Sequence, residues 1–296
     1  MKFFSSLSIN NKLLLSFVAF FIPLAALGTA GVYLQVKRAI EAGIESELSN
    51  TTSAMHRVVQ THATASIRNH LRAVAEKNLE IAGHLYNEYL QGRAGKVEVV
   101  SRIKEVFFSQ TIGRTGYIYC IDSSGNAVVH PRRTVEGLNF SHRKFIRKQI
   151  RKKVGYIEYR WKNPEEQKPR SKALYMTYFA PLDWIISVSS YRNEFNELIN
   201  IEDFEESILE LKFGKSGYAF LVDETGRALV HPTRTGMSLF DDRHLPRSLL
   251  AEMTAAKSGR IDFRWQGPAD AAPRQRILFF SAVEGFPWFF AASTYT

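Results

Sequence analysis

At 296 residues the chain is long enough for two packed cores, and its formal charge of +10 is concentrated rather than spread. Seven cations fall between Arg143 and Lys153, where Phe145, Ile146 and Ile150 supply an apolar side, so this run predicts a solvated helix face; a nucleic-acid surface is the alternative, set aside by the membrane segment at residues 13–34. The single cysteine, Cys120, excludes an intrachain disulfide and a Cys-rich metal site, and it is expected as a small apolar strand residue.

Residues 13–34 carry no charge, and twenty-two such residues suffice to cross a bilayer. An uncleaved anchor is expected, because the apolar run exceeds the span of a signal-peptide core, although Gly28-Thr-Ala30 has the form of a cleavage site. Lys2 and Lys12 place residues 1–12 in the cytoplasm, against the weaker pull of Lys37 and Arg38.

Residues 35–91 contain no proline, and Ile40, Ile44, Leu48, Met55, Val59, Ile67, Leu71 and Val74 recur at helical spacing. One long stalk helix is predicted, with Gly43 and the polar stretch around Asn50 as places where it would bend. His56, His62, His70 and His84 lie on it, but no two are four residues apart, so no metal pair is expected.

The rest of the chain is written twice. Gly113, Gly116-Tyr117, Asp122, Gly125 and His130-Pro131 recur 101 residues later as Gly214, Gly217-Tyr218, Asp223, Gly226 and His231-Pro232. Each copy predicts a β-hairpin: Asp caps its own turn, Gly takes positive φ, and His-Pro ends the return strand. A second group, Gly155 to Trp161 with Asn163-Pro164, recurs at an offset of 104 as Gly259 to Trp265 with Gly267-Pro268, and Trp184 recurs as Trp288. Each unit therefore predicts a five-stranded antiparallel sheet that needs a helix on one face, an α+β arrangement. The expected division is residues 92–199 for the first unit and 200–296 for the second, with an acidic connector at the boundary.

An anchor, a long helix and tandem units with these paired motifs resemble a double Cache sensor module, the extracytoplasmic PAS-like sensing part of bacterial chemoreceptors, histidine kinases and cyclic-dinucleotide enzymes. The resemblance covers about residues 35–296 and implies a periplasmic sensor held in the inner membrane, with the first unit farther from the membrane and holding the ligand. It implies a small carboxylate, with amino acids and amines as the other classes. The Arg-x-Trp-Tyr pattern tied to amino-acid binding in some such sensors is absent, because Lys162 follows Arg160-Trp161.

A buried small anion needs fixed donors. The first unit offers Tyr119 on its first strand, His130 after the second, Lys144 on the basic helix, Arg160 and Trp161 on the third strand, and Lys172 and Tyr175 on the fourth. His130 also fits a bond to its own turn, and Trp161 a packing role. The second unit has Phe220 and Phe279 where the first has Tyr119 and Tyr175, which suits transmission better than binding. No catalytic constellation, cofactor motif or metal set is present, so no enzyme is expected. A parallel homodimer along the stalk helix is expected, and a scaffold that contacts another membrane or periplasmic protein is the alternative to a sensor.

Overall fold

A computed structural model describes residues 9–163, 166–214, 216–240, 245–266 and 272–295. Residues 1–8, Pro164 and Gly267-Pro268, all named above, lie outside the described residues.

Helix α1, Ile9–Leu90, is 82 residues without interruption, roughly 120 Å at 1.5 Å per residue. The helix does not break at Gly43 or Asn50: Leu48 before the polar stretch and Thr52 within it are buried, so packing overrides its weak propensity. The apolar amino-terminal part is wholly exposed, has mean hydropathy 2.2 and is long enough to cross a membrane. From Leu48 to Ala82 one stripe of the helix is buried: Leu48, Met55, Val59, Ala63, Ile67, Leu71, Ala75 and Ala82. Helix α2, Lys96–Phe108, folds back against α1 and buries Val99, Ile103 and Phe107.

Five strands form the first sheet: β1 Tyr117–Ile121, β2 Ala127–Val129, β3 Gly155–Trp161, β4 Arg170–Phe179 and β5 Trp184–Tyr191. They are antiparallel in the order β2-β1-β5-β4-β3. Helix α3, Lys144–Lys152, covers the face away from α1 and buries Ile146 and Gln149. Its cations Arg143, Lys144, Arg147, Lys148, Arg151 and Lys152 are exposed, the solvated face that the sequence pattern predicts.

A connector helix α4, Glu202–Leu209, buries Phe204 and Ile208 and leads to the second sheet. That sheet contains β6 Lys212–Phe213, β7 Gly217–Asp223, β8 Ala228–Val230, β9 Ser258–Trp265, β10 Arg274–Ala282 and β11 Trp288–Tyr295. Its path is β6-β7-β11-β10-β9, with β8 on β7. The extra strand arises because Lys212 and Phe213 pair with Tyr218 and Gly217, where the first unit has only a single bridge between Ile112 and Gly116. Helix α5, Arg247–Ala256, covers its outer face.

Strand alternation divides the core into layers. On β4, Ala173 and Tyr175 join the cluster against α1, whereas Leu174 and Met176 join the outer cluster under α3. The inner cluster runs continuously along α1 beneath both sheets, while each outer cluster is separate. Contacts near the start of the stripe are to the second sheet, as in His56 Nε2 to Ala282 O at 2.9 Å; those near its end are to the first, as in Thr177 Oγ1 to Ala75 O at 3.5 Å. The first sheet thus sits farther along α1 from the apolar segment.

Candidate functional site

The hairpin turns are built as their composition requires. Asp122 Oδ1 accepts the N–H groups of Ser124 and Asn126 at 2.9 and 2.8 Å, and Gly125 takes φ +87. Asp223 repeats this with Thr225 and Arg227 at 2.9 and 3.0 Å, and Gly226 takes φ +89. At the end of each hairpin the histidine folds onto its own chain: His130 Nδ1 accepts the Arg132 N–H at 3.0 Å, and His231 Nδ1 accepts the Thr233 N–H at 3.1 Å. An accepting Nδ1 is unprotonated, so both imidazoles are neutral.

Burial lowers His130 from 6.5 to about 4, opposed by the hydrogen bond to the Arg132 backbone and aided by the charges of Arg132 and Lys172; burial, Arg234 and Arg276 lower His231 to about 4. Between these values the unfolded chain binds more protons than the folded one. Their contribution to stability is therefore complete above about pH 6.5 and lost as the pH falls through 4, on the order of 2 kcal/mol for each. Urea unfolding at pH 7 and pH 4.5 checks this: the His130→Gln, His231→Gln double variant is expected to show a shallower loss than the parent chain. An equal loss in both rejects the assignment.

Between the first sheet and α3 lies a cavity of about 340 Å³. Tyr117 and Tyr119 from β1, Tyr159 and Trp161 from β3, Phe145 from α3 and His130 form its aromatic walls. Phe145 stacks on Tyr159 at 4.3 Å and meets Trp161 edge-on at 5.5 Å, so the walls are fixed before anything binds. Behind Tyr119, Gln149 Nε2 donates to its hydroxyl at 2.8 Å and Ser187 Oγ donates to Gln149 Oε1 at 2.9 Å. Burial raises the Tyr119 hydroxyl well above the ordinary phenol value, so it stays protonated.

Arg132, Arg143 and Lys162 also line the cavity, and none of the described lining residues is acidic. Lys172 lies behind the wall, 1% exposed, its Nζ 4.3 Å from the Tyr117 centroid and 5.4 Å from that of Tyr191. Burial lowers its pKa to about 8, opposed by Glu194 and Glu166.

Of the residues expected in the site, the structure brings Tyr119, His130 and Trp161 to one cavity, with Lys172 adjoining it. Three expectations need correction. Tyr175 is an odd number of residues from Lys172 on one strand and so points into the α1 layer. Arg160 alternates with Trp161, is exposed, and donates to Pro169 O at 3.1 Å on the opposite face. Lys144 opens α3 on its exposed side, while Ile146 and Gln149 face the sheet.

Sequence reasoning missed Tyr117, Tyr159, Arg132, Arg143, Lys162 and Gln149. Two of them were findable, since Tyr117 and Tyr159 each lie two residues from an assigned wall residue and must share its face. Among the described residues no cluster of His, Cys, Asp or Glu could hold a metal ion.

A pre-shaped cavity between an antiparallel sheet and a short helix, repeated on a long helix with an apolar start, defines a tandem sensing module. Over residues 35–296 the chain matches the dCache_2 family model, described as Cache domain, and it belongs to that family. Cache sensor domains are non-catalytic ligand-binding modules. No curated protein matches the chain. Among solved structures, the ligand binding domain of Mlp24 with asparagine is 13% identical, with 86% of this chain and 95% of that one covered at TM-score 0.37. The sensor domain of the Vibrio cholerae histidine kinase DctB is 13% identical, covering 85% and 98% at TM-score 0.35. A Cache chemosensory domain solved for carboxylic acid recognition is 19% identical, covering 42% of this chain and 91% of that one at TM-score 0.38.

Proposed function

We propose that the chain is the sensing region of a bacterial signal-transduction receptor and that the cavity of the first sheet binds a small carboxylate. The observation that carries this is the charge of the lining: Arg143 and Lys162 stand on it beside Arg132, and the described lining residues include no carboxylate. An aromatic box of this kind also suits an amine cation, but Arg143 and Lys162 at its edge oppose one. A carboxylate instead gains charge-assisted bonds from the same groups, with Tyr hydroxyls to orient it.

In this reading residues 13–34 anchor the chain, residues 1–12 are cytoplasmic, and the units at 92–199 and 200–296 lie outside the inner membrane as part of a homodimer. Ligand binding alters how the first sheet packs on α1, and α1 carries that change past the second sheet to the membrane.

Calorimetric titration of the full chain in detergent with acetate, pyruvate and succinate tests the site, with acetamide and ethylamine as neutral and cationic controls. Saturable binding of a carboxylate is expected. Arg143→Ala with Lys162→Ala is expected to weaken it about tenfold, roughly 1.4 kcal/mol, while Arg160→Ala leaves it unchanged. Equal binding of acetamide or preference for ethylamine sinks the carboxylate assignment.

A further inference from the structure

The second sheet repeats the wall of the first cavity, but with a different cation behind it. Arg276 occupies on β10 the position that Lys172 occupies on β4: it lies between Phe263 of β9 and Tyr295 of β11, as Lys172 lies between Tyr159 and Tyr191. Lys172 has Glu194 and Glu166 close enough to raise its pKa, whereas no carboxylate among the described residues pairs with Arg276. Arg276 is nevertheless 2% exposed, and its Nε makes no hydrogen bond.

What holds Arg276 is aromatic. Its guanidinium carbon lies 5.0 Å from the centroids of Tyr218 and Trp265 and 5.2 Å from that of Tyr295. Rings can balance the faces of a guanidinium, but they cannot satisfy the N–H donors on its edge. Arg276 lines a cavity of about 260 Å³ together with Tyr218, His231, Thr233, Arg234 and Trp265. The Thr233 N–H occupies His231 Nδ1, which leaves the imidazole proton on Nε2 as a further donor.

We propose that this cavity is a second ligand site, for a short monocarboxylate, with Arg276 as the bidentate partner of its two oxygens. A buried guanidinium with Nε unbonded and no carboxylate opposite it among the described residues is destabilised, and a carboxylate matches its fork geometry. Size and polarity set the class: the cavity is smaller than that of the first sheet, and Phe220 and Met253 replace the hydrogen-bonded Tyr119 and Gln149. The second sheet is therefore a binding unit in its own right, contrary to the expectation drawn from its lost hydroxyls.

Each cavity has its own tryptophan, Trp161 in the first and Trp265 in the second, while Trp184 and Trp288 lie in the layer against α1. Full chain labelled with 5-fluorotryptophan in detergent micelles thus reports the two sites separately by ¹⁹F NMR, with resonances assigned through single Trp→Phe variants. Titration with acetate, propionate and pyruvate is expected to move the Trp265 resonance saturably, while methyl acetate, the neutral ester, leaves it in place. Arg276→Gln is expected to raise the apparent Kd at least tenfold, with Arg276→Lys intermediate. A Trp265 resonance that no carboxylate moves, or that methyl acetate moves equally, overturns the proposal whatever Trp161 does. Movement of Trp161 alone supports the first site and rejects the second. If Arg276→Gln fails to fold, the contrast between acetate and methyl acetate on the parent chain decides.

Discussion

Arg192→Ala is expected to lower the thermal midpoint of the full chain by roughly 6–10 °C and to split its unfolding into two steps. Arg192 follows the last strand of the first sheet and is 1% exposed, yet it touches three parts of the molecule. Its guanidinium pairs with Glu158 on β3, donates to Thr64 Oγ1 of α1 at 3.0 Å, and lies 5.3 Å from the ring of Phe286 in the second unit. Gly285 beside that ring has φ +82, and a Cβ there would meet Arg192 Nε at 2.6 Å, so the second unit is shaped around this side chain.

Removing it strands Glu158 and opens a gap where sheet, helix and second sheet meet. Breaking a buried pair costs about 3–5 kcal/mol, and Glu158, with 32% of its side chain in water, puts this case near 3. For a chain of this size that converts to the stated shift. Scanning calorimetry checks it, and a single transition at the parent midpoint would show that the contact joins nothing. Gly285→Ala, which displaces Arg192 without deleting its charge, is expected to reproduce the splitting with a smaller shift.

Gly116→Ala is expected to be as damaging through space alone. The backbone there is not left-handed, but a Cβ would lie 2.3 Å from Ser189 O, 2.4 Å from Ile112 O and 2.4 Å from Ser190 Cβ. Two of these are backbone atoms of paired segments, so neither can yield without opening the bridge to Ile112 or the edge of β5. A loss of about 3 kcal/mol or more in urea unfolding is the expected result. Gly217→Ala meets Phe213 O at 2.4 Å and should behave alike in the second sheet. Gly113→Ala, at φ +61 with its neighbours at 3.1 Å, is the milder control; if it costs more than Gly116→Ala, close approach is not the reason for the glycine.

The architecture was legible because a repeat states each element twice. Gly116 and Gly217, Asp122 and Asp223, Trp184 and Trp288 aligned the strands before any contact was known. The site was less legible because residue type does not give the face. Lys172 and Tyr175 both look like anion ligands, yet their odd separation sends one to the outer layer and the other to α1. Gln149 was hidden among cations, although an uncharged amide in a run of Lys and Arg is the residue one would expect to turn inward. Arg192 was beyond reach, since its partners are 34, 128 and 94 positions away and no local pattern joins them.

The stripe that α1 buries is wound around the helix axis. Its positions from Leu48 to Ala82 are mostly four apart, a mean step longer than the 3.6 residues of a helical turn. At about 100° per residue, the covered side advances about 160° beyond whole turns over that length. The two sheets are wound around the helix in a right-handed sense, and the uncovered side winds with them. A partner helix in a left-handed coiled coil follows the opposite sense. Along residues 48–82, two copies laid in parallel can therefore share only a few turns of α1 before a sheet of one intrudes, and a longer seam is open only to the uncovered part of α1 before Leu48.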